Sequence, residues 1–182
     1  MKFLLKLIIV LLSIAGILLI IGFFVDGTFA VTRSVTIERP RSEVVDYVRY
    51  LDNQQLYSVW YKMDPAIKTS TSGEDGTVGY ITKWSSTKDD VGKGEQEITK
   101  IIDGIGFDSE LRFKEPMEVT SQSSIRTTVI SPTQSSISWT IKGETPYPFN
   151  LLSLFVDMDK ELGPDLEKGL KNLKNILESE NN

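Results

Sequence analysis

The chain has 182 residues, 25 of them acidic and 20 basic, for a net charge of −5, and it contains neither cysteine nor histidine. An acidic balance argues against nucleic acid as a partner and against charge-driven docking on anionic headgroups. Without cysteine there is no disulfide, thiolate nucleophile or sulfur-rich metal site, and without histidine ordinary catalytic triads and zinc hydrolase motifs are excluded.

The run from Leu7 to Val25 is 19 residues without a charge, and at about 1.5 Å per residue it reaches roughly 28 Å, close to a hydrocarbon core of about 30 Å. Lys2 and Lys6 precede it and Asp26 follows, with no basic residue before Arg33. Residues 1–29 are therefore expected to be a transmembrane anchor with a cytoplasmic amino terminus, placing the rest in the periplasm or outside the cell. One alternative is a cleaved signal peptide, because Thr28-Phe29-Ala30 offers small residues at the −3 and −1 positions; a buried core helix is the weakest reading, since no polar face interrupts the run.

Residues 30–180 are long enough for one domain. In "AVTRSVTIE" (30–38) Val31, Arg33, Val35 and Ile37 alternate with Thr32, Ser34, Thr36 and Glu38, which predicts a half-buried strand. In "RPRSEVVDYVRYLDN" Pro40 suits a helix start, and Val44, Tyr47, Val48 and Leu51 recur at helical spacing. "NQQLYSVWYK" suggests a second helix, with Leu56 and Trp60 four apart, ended by Met63-Asp64-Pro65.

From Ala66 to Ile141 the pattern is strand after strand. "AIKTSTS", "TVGYITKWSS", "EQEITKIIDG", "GFDSELRF", "SIRTTVI" and "SISWTIKG" are separated by turns such as Glu74-Asp75-Gly76, Asp103-Gly104 and Ser131-Pro132-Thr133-Gln134. Phe107, Ser109, Leu111 and Phe113 share one face, and Ile137, Trp139 and Ile141 another. Short returns favour a meandering antiparallel sheet. After "GETPYPF", Leu151, Phe155, Met158, Leu162, Leu166, Leu170, Leu173 and Leu177 form a helical stripe, which Pro164 should kink or restart. The expectation is an α+β fold in which a curved antiparallel sheet of about six to seven strands wraps a long C-terminal helix.

The segments "VTIERPRSEVVDYVRYLDN", "VGKGEQEITKI" and "ELGPDLEKGLKNLKNIL" resemble the opening strand, corner and first helix, the central hairpin, and the final helix of the SRPBCC superfamily. That is the helix-grip group of START lipid-transfer domains, birch-pollen-allergen-like proteins and polyketide cyclases. The resemblance spans roughly residues 31 to 178 and implies a cavity between sheet and helix for an apolar small molecule or lipid. The acid-base roles that some cyclases give to histidine have no position here. A polyketide-cyclase-like enzyme working without histidine, and an envelope interaction module with a filled core, stand as alternatives.

Candidate cavity-lining residues are Trp60, Tyr80, Trp84, Phe107, Leu111, Phe113, Trp139, Ile141, Phe155 and Met158, with tryptophan N–H groups as orienting donors. A solid core is the competing reading of the same set. No catalytic group, metal or cofactor is expected. "GKGEQE" (92–97) precedes a strand rather than a helix, so it reads as a hairpin and not a phosphate cradle. Asp89, Asp90, Glu95 and Glu97 fit no calcium loop and read as a solvated acidic edge. Glu110, Tyr80 and Asp46 have no spacing that marks an acid-base pair. "TPYPF", with Tyr147 and Phe149, is expected either as a packed connector or as a lid that dips into the membrane interface.

Overall fold

The computed structural model describes residues 2–179. The last expected domain residue, 180, and the final residues of the "ESENN" tail lie outside that range. Helix α1 (Lys2–Phe24) leads directly into strand β1 (Thr28–Ile37). Three short helices follow: α2 (Arg41–Val48), α3 (Leu51–Tyr57) and α4 (Val59–Met63). Then come β2 (Lys68–Ser72), β3 (Ile81–Ser85), β4 (Lys93–Ile102), β5 (Gly106–Glu115), β6 (Val119–Ser131) and β7 (Gln134–Glu144). A 3-10 turn (Phe149–Leu154) and helix α5 (Met158–Ser179) close the chain.

The seven strands form one antiparallel sheet in the order β1-β7-β6-β5-β4-β3-β2. β1 reaches the far edge because the helical segment α2–α4 carries the chain across before β2 begins. Alternation sets the concave face: Ile98, Phe107, Ile125, Ile137 and Trp139 are all fully buried. Helix α5 lies in this concavity, with Leu166, Leu170, Leu173 and Leu177 at most 4% exposed. The outer face is polar. There Arg112 donates to Glu95 at 2.8 Å, Glu97 at 2.7 Å and Glu110 at 2.6 Å, so the acidic edge expected at Glu95 and Glu97 is organised around one guanidinium.

Four local expectations need correction. Leu56 and Trp60 do not share a helix, because Ser58 is extended at ψ 136° and separates α3 from α4, which leaves Leu56 exposed. The strand expected from Thr77 begins only at Ile81, since Gly76 and Gly79 turn the chain at positive φ. The terminal helix begins at Met158, not Leu151; the Asp157 carboxylate accepts the Asp159 N–H and the Asp157 carbonyl those of Lys160 and Glu161, so the chain is capped there. Lastly, α5 runs through Pro164 as one helix. Pro164 is its seventh residue, so the helix forgoes the bond that an N–H there would give to the Lys160 carbonyl and continues on the remaining ones.

Helix α1 is long and apolar enough to cross a membrane over Phe3–Phe24, with a mean hydropathy of 3.1 in its most apolar 18 residues. Only Val25, Asp26 and Gly27 separate it from β1. The 3-10 turn clasps this junction. The Asn150 side-chain amide donates to the carbonyls of Gly22 at 2.6 Å and Val25 at 2.8 Å, satisfying C-terminal groups that a helix leaves unpaired. Ser153 Oγ donates to the Asp26 carbonyl at 3.3 Å and the Thr145 N–H to the Gly27 carbonyl at 3.0 Å. A Cβ on Gly27 would sit 2.3 Å from the Thr145 carbonyl oxygen, so only glycine allows this approach.

Candidate functional site

Strand register arranges the concave face in rows. At the rim lies Trp84–Gly94–Phe113–Val119, and inside it Thr82–Gln96–Leu111–Ser121–Gly143–Phe29. The next row is Ile98–Ser109–Ser123–Ile141–Val31, followed by Phe107–Ile125–Trp139–Arg33. Helix α5 covers the deeper rows, but its first turn stands away from the rim. The result is a cavity of about 890 Å³ between the outer rows, Trp60 and Tyr61 of α4, Met158 and Leu162 of α5, and the segment Leu152–Asp157. A Cβ on Gly94 would lie 2.5 Å from the Trp84 ring. Glycine thus lets the indole lie flat over β4 at the rim.

Eight of the ten residues singled out from the sequence border this cavity: Trp60, Trp84, Leu111, Phe113, Trp139, Ile141, Phe155 and Met158. Tyr80 and Phe107 do not. Tyr80 is buried with its hydroxyl donating to Asp52 at 2.8 Å, which turns its polar end toward α3. Phe107 shares the deepest of these rows with Trp139 and is 1% exposed, in the packed part of the core. Phe155 is 85% exposed and stands at the mouth rather than on a helix stripe. Beside it, Leu152 and Leu154 are exposed as well.

The aromatic groups interlock edge to face: Trp60 with Trp139 at 5.8 Å and Trp84 with Phe113 at 5.6 Å. Two indole N–H groups are already used. Trp139 donates to Ser123 Oγ at 2.9 Å and Trp84 to the Val91 carbonyl at 3.1 Å, so neither is a free orienting donor. Uncharged polar residues in the wall include Gln54, Ser58, Tyr61, Gln96 and Ser121, with Thr28, Thr145 and Ser153 nearer the mouth segment. Burial pushes the Tyr61 hydroxyl above its ordinary range, with the charges of Asp52 and Tyr80 adding to it, and keeps it protonated.

Alternation already carried part of this signal, because outward Glu95 and Glu97 require Gln96 to face inward. Nothing in the pattern marked Gln54, or the lining by Asp26–Val31.

Among the described residues five acidic ones border the cavity, Asp26, Asp90, Glu144, Asp157 and Asp159, and no lysine or arginine does. Asp159 is held by Arg33 through two 2.8 Å hydrogen bonds. The same guanidinium keeps its carboxyl below the ordinary value. Asp26 is likewise lowered, by the Thr28 N–H. Among the described residues no cluster of acidic groups is arranged to hold a metal ion.

A curved antiparallel sheet gripping a long C-terminal helix is a helix-grip fold. Solved structures share it. Norcoclaurine synthase from Thalictrum flavum, in complex with dopamine and hydroxybenzaldehyde, aligns with a TM-score of 0.62 at 11% identity over 90% of this chain and 94% of its own. Ara h 8.0201 aligns with a TM-score of 0.54 at 15% identity over 84% and 99%. A protein of Mesorhizobium loti gives 0.59 at 12% over 82% and 97%. No family model and no curated protein matches the sequence.

Proposed function

We propose that the chain is a membrane-tethered binding domain for an apolar small molecule or lipid, held between the sheet and α5. The observation that carries the reading is the cavity of about 890 Å³, walled by Trp60, Trp84, Phe113, Trp139 and Ile141. Pockets of some 300–1,000 Å³ lined by such side chains suit small-molecule ligands. In this reading α1 is the anchor, its amino terminus is cytoplasmic, and the domain lies beyond the membrane. Tethering then raises the effective concentration of any membrane-borne ligand at the mouth.

Mass spectrometry of extracts from the purified full-length chain should find a co-purifying apolar molecule. Leu111→Trp, which fills the second row, should weaken binding of an apolar fluorescent probe, while Glu110→Gln on the outer face should not. A wild type that binds no probe, with Leu111→Trp merely overpacking a solid core, would sink the binding claim. For topology, a reporter active only outside the cytoplasm should work when fused after Asn182. A mature product beginning near Val31 would establish signal cleavage in place of anchoring.

A further inference from the structure

The cavity wall holds an amide pair with spare hydrogen-bonding capacity. Gln96 projects inward from β4 and Gln54 from α3, and both border the cavity although their residues are only 4% and 6% exposed. Gln96 Nε2 donates to Gln54 Oε1 at 3.3 Å and to Ser109 Oγ at 2.9 Å. Those bonds occupy one end of each carboxamide. Among the described residues, Gln96 Oε1 and Gln54 Nε2 have no protein partner. The assignment of N and O in each amide is interchangeable, but exchanging both still leaves one donor and one acceptor, because Ser109 can donate as well as accept. Both residues border the cavity, so a molecule bound there can complete the amide ends that solvent otherwise satisfies.

We propose that Gln54 and Gln96 form a polar subsite that recognises an uncharged hydroxyl on an otherwise apolar ligand. A hydroxyl donates one hydrogen bond and accepts others, and so meets both free ends at once. Charge argues against an anionic ligand. Among the described residues, acidic side chains border the cavity without lysine or arginine, so a carboxylate or phosphate head has no cation to pair with and meets repulsion, and the cationic probe below separates the neutral class from amines. Apart from this pair the ligand touches mainly aromatic and aliphatic side chains. The subsite depends on the binding role proposed above and narrows it to a ligand class.

The test uses the full-length chain in amphipol, with binding followed by equilibrium dialysis against empty amphipol. The probes are naphthalene, 2-naphthol, 2-naphthoate and 2-naphthylmethylammonium at neutral pH. The wild type should prefer 2-naphthol to naphthalene by about tenfold, the equivalent of about 1.4 kcal/mol, and should bind 2-naphthoate worst. Gln96→Met and Gln54→Met keep the volume and remove the polar ends. Each should reduce the 2-naphthol preference to about twofold or less while naphthalene binds as before, and retained naphthalene binding certifies that the variant is folded. Glu110→Gln should leave every affinity unchanged. Equal binding of naphthalene and 2-naphthol by the wild type, a preference that survives the double Met variant, or tightest binding of either charged probe overturns the subsite while leaving the binding role intact. If no probe binds at all, the binding role itself fails and the subsite falls with it.

Discussion

Truncating Leu170 to alanine tests whether α5 closes the sheet. Leu170 is 1% exposed and lies in the same stripe as Leu166, Leu173 and Leu177, all buried against the concave face. The next residue but one toward the N-terminus, Lys168, is exposed, as is Lys171, whose ammonium reaches Glu167 at 2.6 Å. Removing a buried leucine side chain to Cβ costs about 2–5 kcal/mol through lost burial and a residual cavity. In a domain of this size each kcal/mol moves the melting temperature by about 2–4 °C, so a mid-range loss of about 3 kcal/mol lowers it by about 6–12 °C. Lys171→Ala removes only a solvent-screened surface pair with Glu167 and should leave the melting temperature nearly unchanged. Thermal melts of the full-length chain in detergent, followed by tryptophan fluorescence, read both variants on one scale. Small and equal shifts would show that α5 does not cover the core, and the cavity between it and the sheet would lose its roof.

Three further outcomes follow from the polar contacts. Asn150→Ala strips the caps from Gly22 and Val25, costing about 1–3 kcal/mol locally, and hydrogen exchange should accelerate over residues 145–157 while β4–β7 stay protected. Arg112→Leu leaves Glu95, Glu97 and Glu110 facing one another. It should lower stability at neutral pH by about 1–2 kcal/mol after solvent screening, and the deficit should shrink in acid as the pH falls through the Glu95 carboxyl's value, which Arg112 holds below its ordinary one. Arg33 holds the Asp159 carboxyl below its ordinary value of 3.8, so their pairing stabilises the fold above that pH and is lost as the pH falls through the lowered value. Asp159→Asn should therefore melt with a flatter pH dependence below about pH 4 than the wild type; identical profiles would remove the pair from the account of stability.

Periodicity made the architecture legible wherever a segment had one wet face and one dry face. Strands β1 and β5 and the leucine stripe of α5 follow their alternation closely. It misled where the apolar spacing continued past a capping event. Leu151 and Phe155 match the stripe of α5 in number, yet hydrogen bonds to Asp157 start the helix afresh beyond them. The cavity was legible as a set of apolar and aromatic side chains but not as a shape. Tyr80 and Phe107 carry the same inward signal as Trp84 and Leu111, and only register and the tilt of α5 decide which of them meets open space. Gln54 was invisible because a polar residue on a short helix ordinarily faces water.

The clasp on the end of α1 has a mechanical outcome. Because Asn150, Ser153 and Thr145 bind the junction and only three residues separate helix from sheet, the domain and α1 turn as one lever. A membrane helix answers a thinner bilayer by tilting further. If α1 is the anchor proposed above, that tilt would swing the mouth at Leu152–Val156 relative to the headgroups, with only residues 25–27 between helix and sheet. On that proposal local membrane thickness would set how the cavity faces the lipid, and lengthening the 25–27 junction with glycines should weaken that dependence.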